Sequence, residues 1–170
     1  ALKEIKLPEG LQSIGVGVFY RTGIKQLTIP GSVVKIDVID KSIKLSKPSY
    51  LKKFKRDSGA IYYEARATIK ASGKKAVTYK ASRITKIKAK TSKVTIQKGK
   101  TTKLQTRVYI SKKLKKGYLD PEILKFTTSN KKVVKLSSKG TIKGLKKGKA
   151  TVTVKLRTTG KTYKVNVKVK

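Results

Sequence analysis

Three runs of cations carry the densest chemistry in this sequence. They are Lys112-Lys113-Leu114-Lys115-Lys116, Lys52-Lys53-Phe54-Lys55-Arg56 and Lys146-Lys147. Tyr109, Tyr118, Tyr50 and Phe54 stand close by, and aromatic rings interleaved with cations can stack on bases or sugars while the charges hold an anionic backbone. Such groups would bind a polyanion by salt-sensitive electrostatics. They do not point to sequence-specific reading of nucleic acid. The chain has 39 Lys and 6 Arg, and an ammonium lacks the bidentate fork that reads guanine. A second reading fits the same residues: lysines on outward strand positions form a solvated face and keep sheet edges from pairing.

Other chemistry is largely excluded by composition. With no Cys there is neither a disulfide nor a thiolate metal site, and with no His the Ser-His-Asp triad and imidazole-ligated zinc are ruled out. No cofactor is expected. Lys139-Gly140-Thr141 and Gly148-Lys149-Ala150 lack the spaced first glycine of a phosphate-binding loop. Asp120 and Glu122 flank Pro121 in a turn signal, which suits local hydrogen bonding rather than acid–base catalysis. Asn130 and Asn166 are the only Asn residues that could form an isopeptide bond with Lys; one lies in a turn and the other on an outward strand position. The chain reads as non-catalytic.

Charge is distributed unevenly. The net charge is +37. Residues 1–64 carry 12 basic and 6 acidic side chains, residues 65–170 carry 33 and 2. A field of this sign attracts anionic polymers and favours solubility. No run of about 18 apolar residues is present, so no membrane-spanning helix is expected. The chain starts at Ala1 without Met or an apolar leader, which reads as a processed protein or a fragment.

The elements that must position these cations read as β throughout. From Ser129 to Val154 short alternating apolar beats (Val134 and Leu136; Ala150, Val152 and Val154) are punctuated by Gly140, Gly144 and Gly148, which are placed for turns with positive φ. Leu104, Thr106, Val108 and Ile110 share a face, and Val152–Leu156 is predicted to pair with Tyr163–Val169 across Thr159-Gly160. About seven short strands are expected over 85–170. Lys112–Gly117 reads as a charged loop and Tyr50–Arg56 as a helical turn or loop. Asp37–Lys47 reads as one strand, and Ile61–Lys70 forms a hairpin with the strand containing Val77 and Tyr79. Residues 1–36 contain a repeat of 22 residues: Leu2, Ile5, Leu7-Pro8, Leu11 and Ile14 match Ile24, Leu27, Ile29-Pro30, Val33 and Ile36.

Two resemblances follow from these patterns. The Ile/Leu-Pro repeat, with Val18-Phe19 where Ala-Phe is usual, resembles BspA-type leucine-rich repeats, here as the C-terminal end of an array. The Ser-Asn turn, Val strand, spaced glycines and Ala-Thr-Val-Thr-Val strand resemble the bacterial immunoglobulin-like domain, group 2, with Phe126 in place of the usual Trp. The resemblances imply a mainly β architecture in three parts: a leucine-rich-repeat end at 1–36, a β-rich connector or small β module at 37–84, and an immunoglobulin-like sandwich at 85–170. They also imply a secreted or cell-surface adhesion or spacer module of a Gram-positive-type bacterium. Its expected partners are a cell-wall anionic polymer or a host surface protein or glycan. The alternatives are an accessory region of a larger secreted hydrolase and a filament subunit, in which the edges at Val165–Lys170 or residues 1–7 pair between copies.

Overall fold

Alternation of β-branched residues with Lys and Thr produces strands, and glycine-containing turns keep them short. The computed structural model describes residues 5–111 and 113–170. It divides into two compact units, Ala1–Arg66 and Ala67–Lys170.

The first unit holds β1 (Ser13–Ile14), β2 (Gln26–Thr28), β3 (Lys35–Ile36), β4 (Lys44–Ser46), β5 (Leu51–Lys55) and residues 61–66 of β6 (Ile61–Lys70). β1 lies parallel to β3, with Ser13 opposite Lys35 and Ile14 opposite Ile36, an offset equal to the 22-residue repeat. β2 lies parallel to β4, with Leu27 opposite Leu45. That pairing exposes a third copy of the repeat, shortened to 18 residues: Leu45, Pro48 and Leu51 stand where Leu27, Pro30 and Val33 stood. The same turn follows each proline, since Leu11, Val33 and Leu51 donate their N–H groups to the carbonyls of Pro8, Pro30 and Pro48 at 3.3, 3.2 and 3.0 Å. Proline has no N–H to give a sheet ladder, so β2 and β4 stop short of Pro30 and Pro48 and the chain turns after each proline. The side chains Ile14, Ile24, Leu27, Ile29, Val33, Ile36 and Leu51 are buried. Leu2 lies outside the described residues.

Two expectations for this unit are overturned. Asp37–Lys47 is one short strand, Lys44–Ser46, preceded by a turn. The Asp40 carboxylate accepts the Ser42 N–H at 2.8 Å, an Asx turn that interrupts pairing and holds the Asp40 carboxyl below its usual range through that bond. Tyr50–Arg56 is neither helical turn nor loop: it is β5, with Leu51 fully buried and Lys52, Lys53 and Lys55 in solvent. β6 runs antiparallel to both β3 and β5, pairing Ile36 with Tyr63 and Phe54 with Tyr62.

The second unit contains the end of β6 and β7 (Val77–Lys80), β8 (Ile84–Ala89), β9 (Lys93–Ile96), β10 (Thr101–Lys103), β11 (Thr106–Ile110), β12 (Lys113–Leu119), β13 (Leu124–Thr128), β14 (Val134–Leu136), β15 (Thr141–Gly144), β16 (Gly148–Leu156) and β17 (Thr162–Val169). The expected hairpin of β6 with β7 is present. Among the described residues 85–170 are built from ten short strands rather than about seven. One sheet has the order β13-β16-β17-β9, and β10-β15-β14 forms a second. β8, β11 and β12 pair antiparallel. The inward residues of the first sheet, Val152, Val154, Leu156, Val165, Val167 and Val169, are almost completely buried. Val154 pairs with Tyr163 and Val152 with Val165, as the alternation predicts.

Three further expectations are corrected. Lys113–Gly117 belongs to β12, not to a loop. The Val165–Lys170 segment is no free edge, because β17 lies between β16 and a parallel β9, with Val167 opposite Val94. Gly144 does not need positive φ; it is required for space, since a Cβ there would come within 3.0 Å of the Gln97 carbonyl oxygen and the Val169 side chain. Gly140 does have positive φ, +79°, and the half-buried Phe126 ring rests against it.

Candidate anion-binding surface

The three cation runs meet different fates. Lys52, Lys53, Lys55 and Arg56 alternate between the two faces of β5 and its extension. Lys52 stands opposite Glu64. The Arg56 guanidinium lies 3.2 Å from the Asp37 carboxylate and 5.4 Å from the centre of the Tyr62 ring. Tyr62 stacks on Phe54 with centroids 5.3 Å apart, and the Arg66 guanidinium lies 4.6 Å from the centre of the Phe54 ring while pairing with Glu64 at 2.8 Å. The rings and part of the charge here are therefore engaged within the protein, while Lys53 and Lys55 stay exposed. Nearby Lys47 donates to the Leu51 carbonyl at 2.7 Å, and burial, with the Lys52 charge second, pulls its pKa below the usual lysine range.

Lys112 lies outside the described residues. Lys113, Lys115 and Lys116 are strand residues of β12. The Lys115 ammonium lies 5.5 Å from the Tyr79 ring centre. Lys146 and Lys147 are exposed in the turn between β15 and β16.

The sheet β13-β16-β17-β9 gathers cations that no run in the sequence reveals. Its outward positions are Lys125 and Thr127 on β13, Lys149, Thr151, Thr153 and Lys155 on β16, Thr162, Lys164, Asn166 and Lys168 on β17, and Lys93 and Thr95 on β9. Lys125 stands directly opposite Lys155, and Lys149 directly opposite Lys168. Like charges in such positions repel. None of these outward positions is acidic: Asp120 and Glu122, the acids of residues 67–170, both lie at the short turn Pro121–Ile123, where Asp120 also pairs with Lys70 at 3.1 Å. At one end of the face, Lys93, Thr95, Ser129, Lys149, Thr151, Asn166 and Lys168 line an open groove of about 480 Å³. The alternation Lys149-x-Thr-x-Thr-x-Lys155 is legible in the sequence and signals an outward row. Its neighbours on other strands are not.

Behind this face the sheet is anchored by Tyr163 and the buried Thr106, which share a 2.6 Å hydrogen bond. Burial pushes the Tyr163 phenol above its usual pKa, and the bond to Thr106 works in the opposite direction with smaller effect. Among the described residues no group of acidic or other ligating side chains could hold a metal ion, and no helix is long and apolar enough to cross a membrane.

Residues 83–167 match the family model of the bacterial Ig-like domain (group 2). No curated protein matches the chain. Among solved structures, the chain is similar to domains 4 and 5 of the S-layer protein SbsC, at 20% identity over 62% of this chain and 65% of that one, with a TM-score of 0.38. It is also similar to a longer SbsC structure, at 17% identity over 69% and 18% of the two chains, with a TM-score of 0.39. Extracellular cadherin domains 1–4 of protocadherin gamma B7 share 12% identity over 94% and 49%, with a TM-score of 0.38. The chain spans less than two thirds of the length of each of these structures.

Proposed function

Because the chain belongs to the family of bacterial Ig-like domains (group 2), we propose that it works without catalysis as an adhesion or spacer module, secreted or at a bacterial cell surface, and holds anionic polymer by charge. The observation that carries the binding half of this reading is the lysine face of β13-β16-β17-β9, where like charges oppose each other and no outward strand position is acidic. An anionic chain laid across it removes that repulsion. The spacer half is supported by closely paired short strands with a buried core of Val, Ile and Leu. The repeats over residues 5–51 act as leucine-rich repeats of the BspA type. Support for this comes from parallel pairing at the repeat's own offset and from the matching turns after Pro8, Pro30 and Pro48.

The test is co-sedimentation of the chain with purified Gram-positive cell walls, before and after acid extraction of their anionic polymers. Binding is expected to intact walls, to disappear on extraction, and to weaken steadily between about 50 and 200 mM salt. Equal binding to extracted walls, or binding indifferent to salt, refutes the charge-based reading.

A further inference from the structure

The chemistry of the lysine face narrows the kind of anion it takes. All its cations are Lys, and an ammonium is a compact, strongly hydrated point charge that suits a singly charged phosphodiester better than a planar carboxylate. None of its outward positions carries an aromatic ring. Bases and sugar rings therefore find nothing to stack on, although stacking is the usual source of hold on single-stranded nucleic acid. What accompanies the lysines is a set of hydroxyls and one carboxamide. Ser129 Oγ accepts the Thr151 N–H at 2.9 Å, so its own hydroxyl hydrogen is left for a ligand. Asn166 stands opposite Thr151 on one side and Lys93 on the other, and Lys168 stands between Lys149 and Thr95. Two rows of the sheet thus place charge and hydroxyl-binding groups side by side. Neighbouring strands are about 4.8 Å apart and outward residues about 6.8 Å apart along a strand.

We propose that this face is the docking surface for an extended polyol phosphate polymer. Its phosphodiester groups sit on Lys93, Lys149 and Lys168, and its polyol hydroxyls meet Ser129, Thr151 and Asn166. The proposal rests on the reading above that the chain holds an anionic polymer, and adds which face does so and which polymer it prefers. Charge complementarity selects the phosphate. The lack of rings and the presence of hydroxyl partners select the polyol.

The experiment compares binding of poly(glycerol phosphate), a sulfated glycan and a single-stranded oligonucleotide to the full chain at 50, 150 and 300 mM salt, as approximate settings spanning the range in which phosphate contacts are screened. Two variants remove the same charge at different places: Lys93→Gln/Lys149→Gln/Lys168→Gln on the face, and Lys52→Gln/Lys53→Gln/Lys55→Gln on β5. All six positions are exposed strand residues, and unchanged circular dichroism checks that both variants fold. The face variant is expected to lose at least about tenfold in affinity for poly(glycerol phosphate), with a shallower salt dependence, while the β5 variant stays within about threefold. Asn166→Val, which changes no charge, is expected to weaken poly(glycerol phosphate) binding and leave the oligonucleotide unaffected. Equal losses in the two triple variants overturn the assigned face while leaving charge-based binding intact. An oligonucleotide or sulfated glycan that persists at higher salt than poly(glycerol phosphate) overturns the assigned polymer. Failure of the unaltered chain to bind any of the three overturns both this proposal and the reading beneath it.

Discussion

Replacing Gly140 by Ala tests how the turn between β14 and β15 is tied to the core. Gly140 donates its N–H to the Ser137 carbonyl at 3.1 Å, accepts the Leu104 N–H at 2.9 Å, and has φ +79°. Forcing an L-residue into that conformation costs about 1–2 kcal/mol. A Cβ would also lie 2.7 Å from Cζ and 3.0 Å from Cε1 of the Phe126 ring, so the ring must shift. Displacing a packed aromatic costs about 1–3 kcal/mol more. The expected total is about 3 kcal/mol. Gly99→Ala is the control, because Gly99 has φ +80° but open space around its Cβ position. It should cost only about 1 kcal/mol. The assay is native-state hydrogen exchange at the amides of Val152 and Val165, in the paired centre of the same unit. At tenfold per 1.4 kcal/mol, Gly140→Ala should accelerate their exchange about a hundredfold and Gly99→Ala about fivefold. In a Phe126→Ala background the excess should vanish, since the atoms that clash are gone. Equal effects of the two alanines, or an excess that survives loss of the ring, refute the argument.

Tyr163→Phe leaves the buried Thr106 hydroxyl without its partner and should lower stability by about 1–2 kcal/mol in urea titration. Folding raises the Tyr163 pKa, so the folded state keeps a proton that the unfolded chain loses near pH 10; the resulting stability is present below that pH and declines above it, and the variant should show a flatter alkaline limb. Lys155→Glu turns the opposed Lys125–Lys155 pair into an attractive one, with a gain of about 0.5 kcal/mol at low salt that disappears near 1 M, where screening acts within about 3 Å. Leu27→Ala removes a side chain that is 1% exposed and should cost about 2–4 kcal/mol, read from the thermal transition of the first unit.

Several features were legible because they depend on neighbours in the chain. Side chains alternate across a strand with a period of two, so Val152, Val154, Val165 and Val167 declare their buried face in any context. The turn at Gly140 and the pairing of β16 with β17 follow from the same local rules. The 22-residue repeat was legible as matched Leu, Ile and Pro. Its third copy was hidden, because the spacing contracts to 18 and Lys47 stands where Ile29 stood.

The sequence by itself thus determined the β class, the buried faces, the main hairpins, the family match of the second half and the large positive charge. The tertiary structure alone decided which cations share a surface. Runs such as Lys52–Arg56 looked densest, yet strand geometry sends their members to opposite faces and Asp37 and Glu64 answer part of their charge. Lys93, Lys125, Lys149 and Lys164 are far apart in sequence and belong to one face. The physical reason is that periodicity specifies the side of a strand on which a residue lies, whereas hydrogen-bond ladders specify the strand beside it, and the parallel placement of β9 on β17 is set by long-range packing rather than by any local signal.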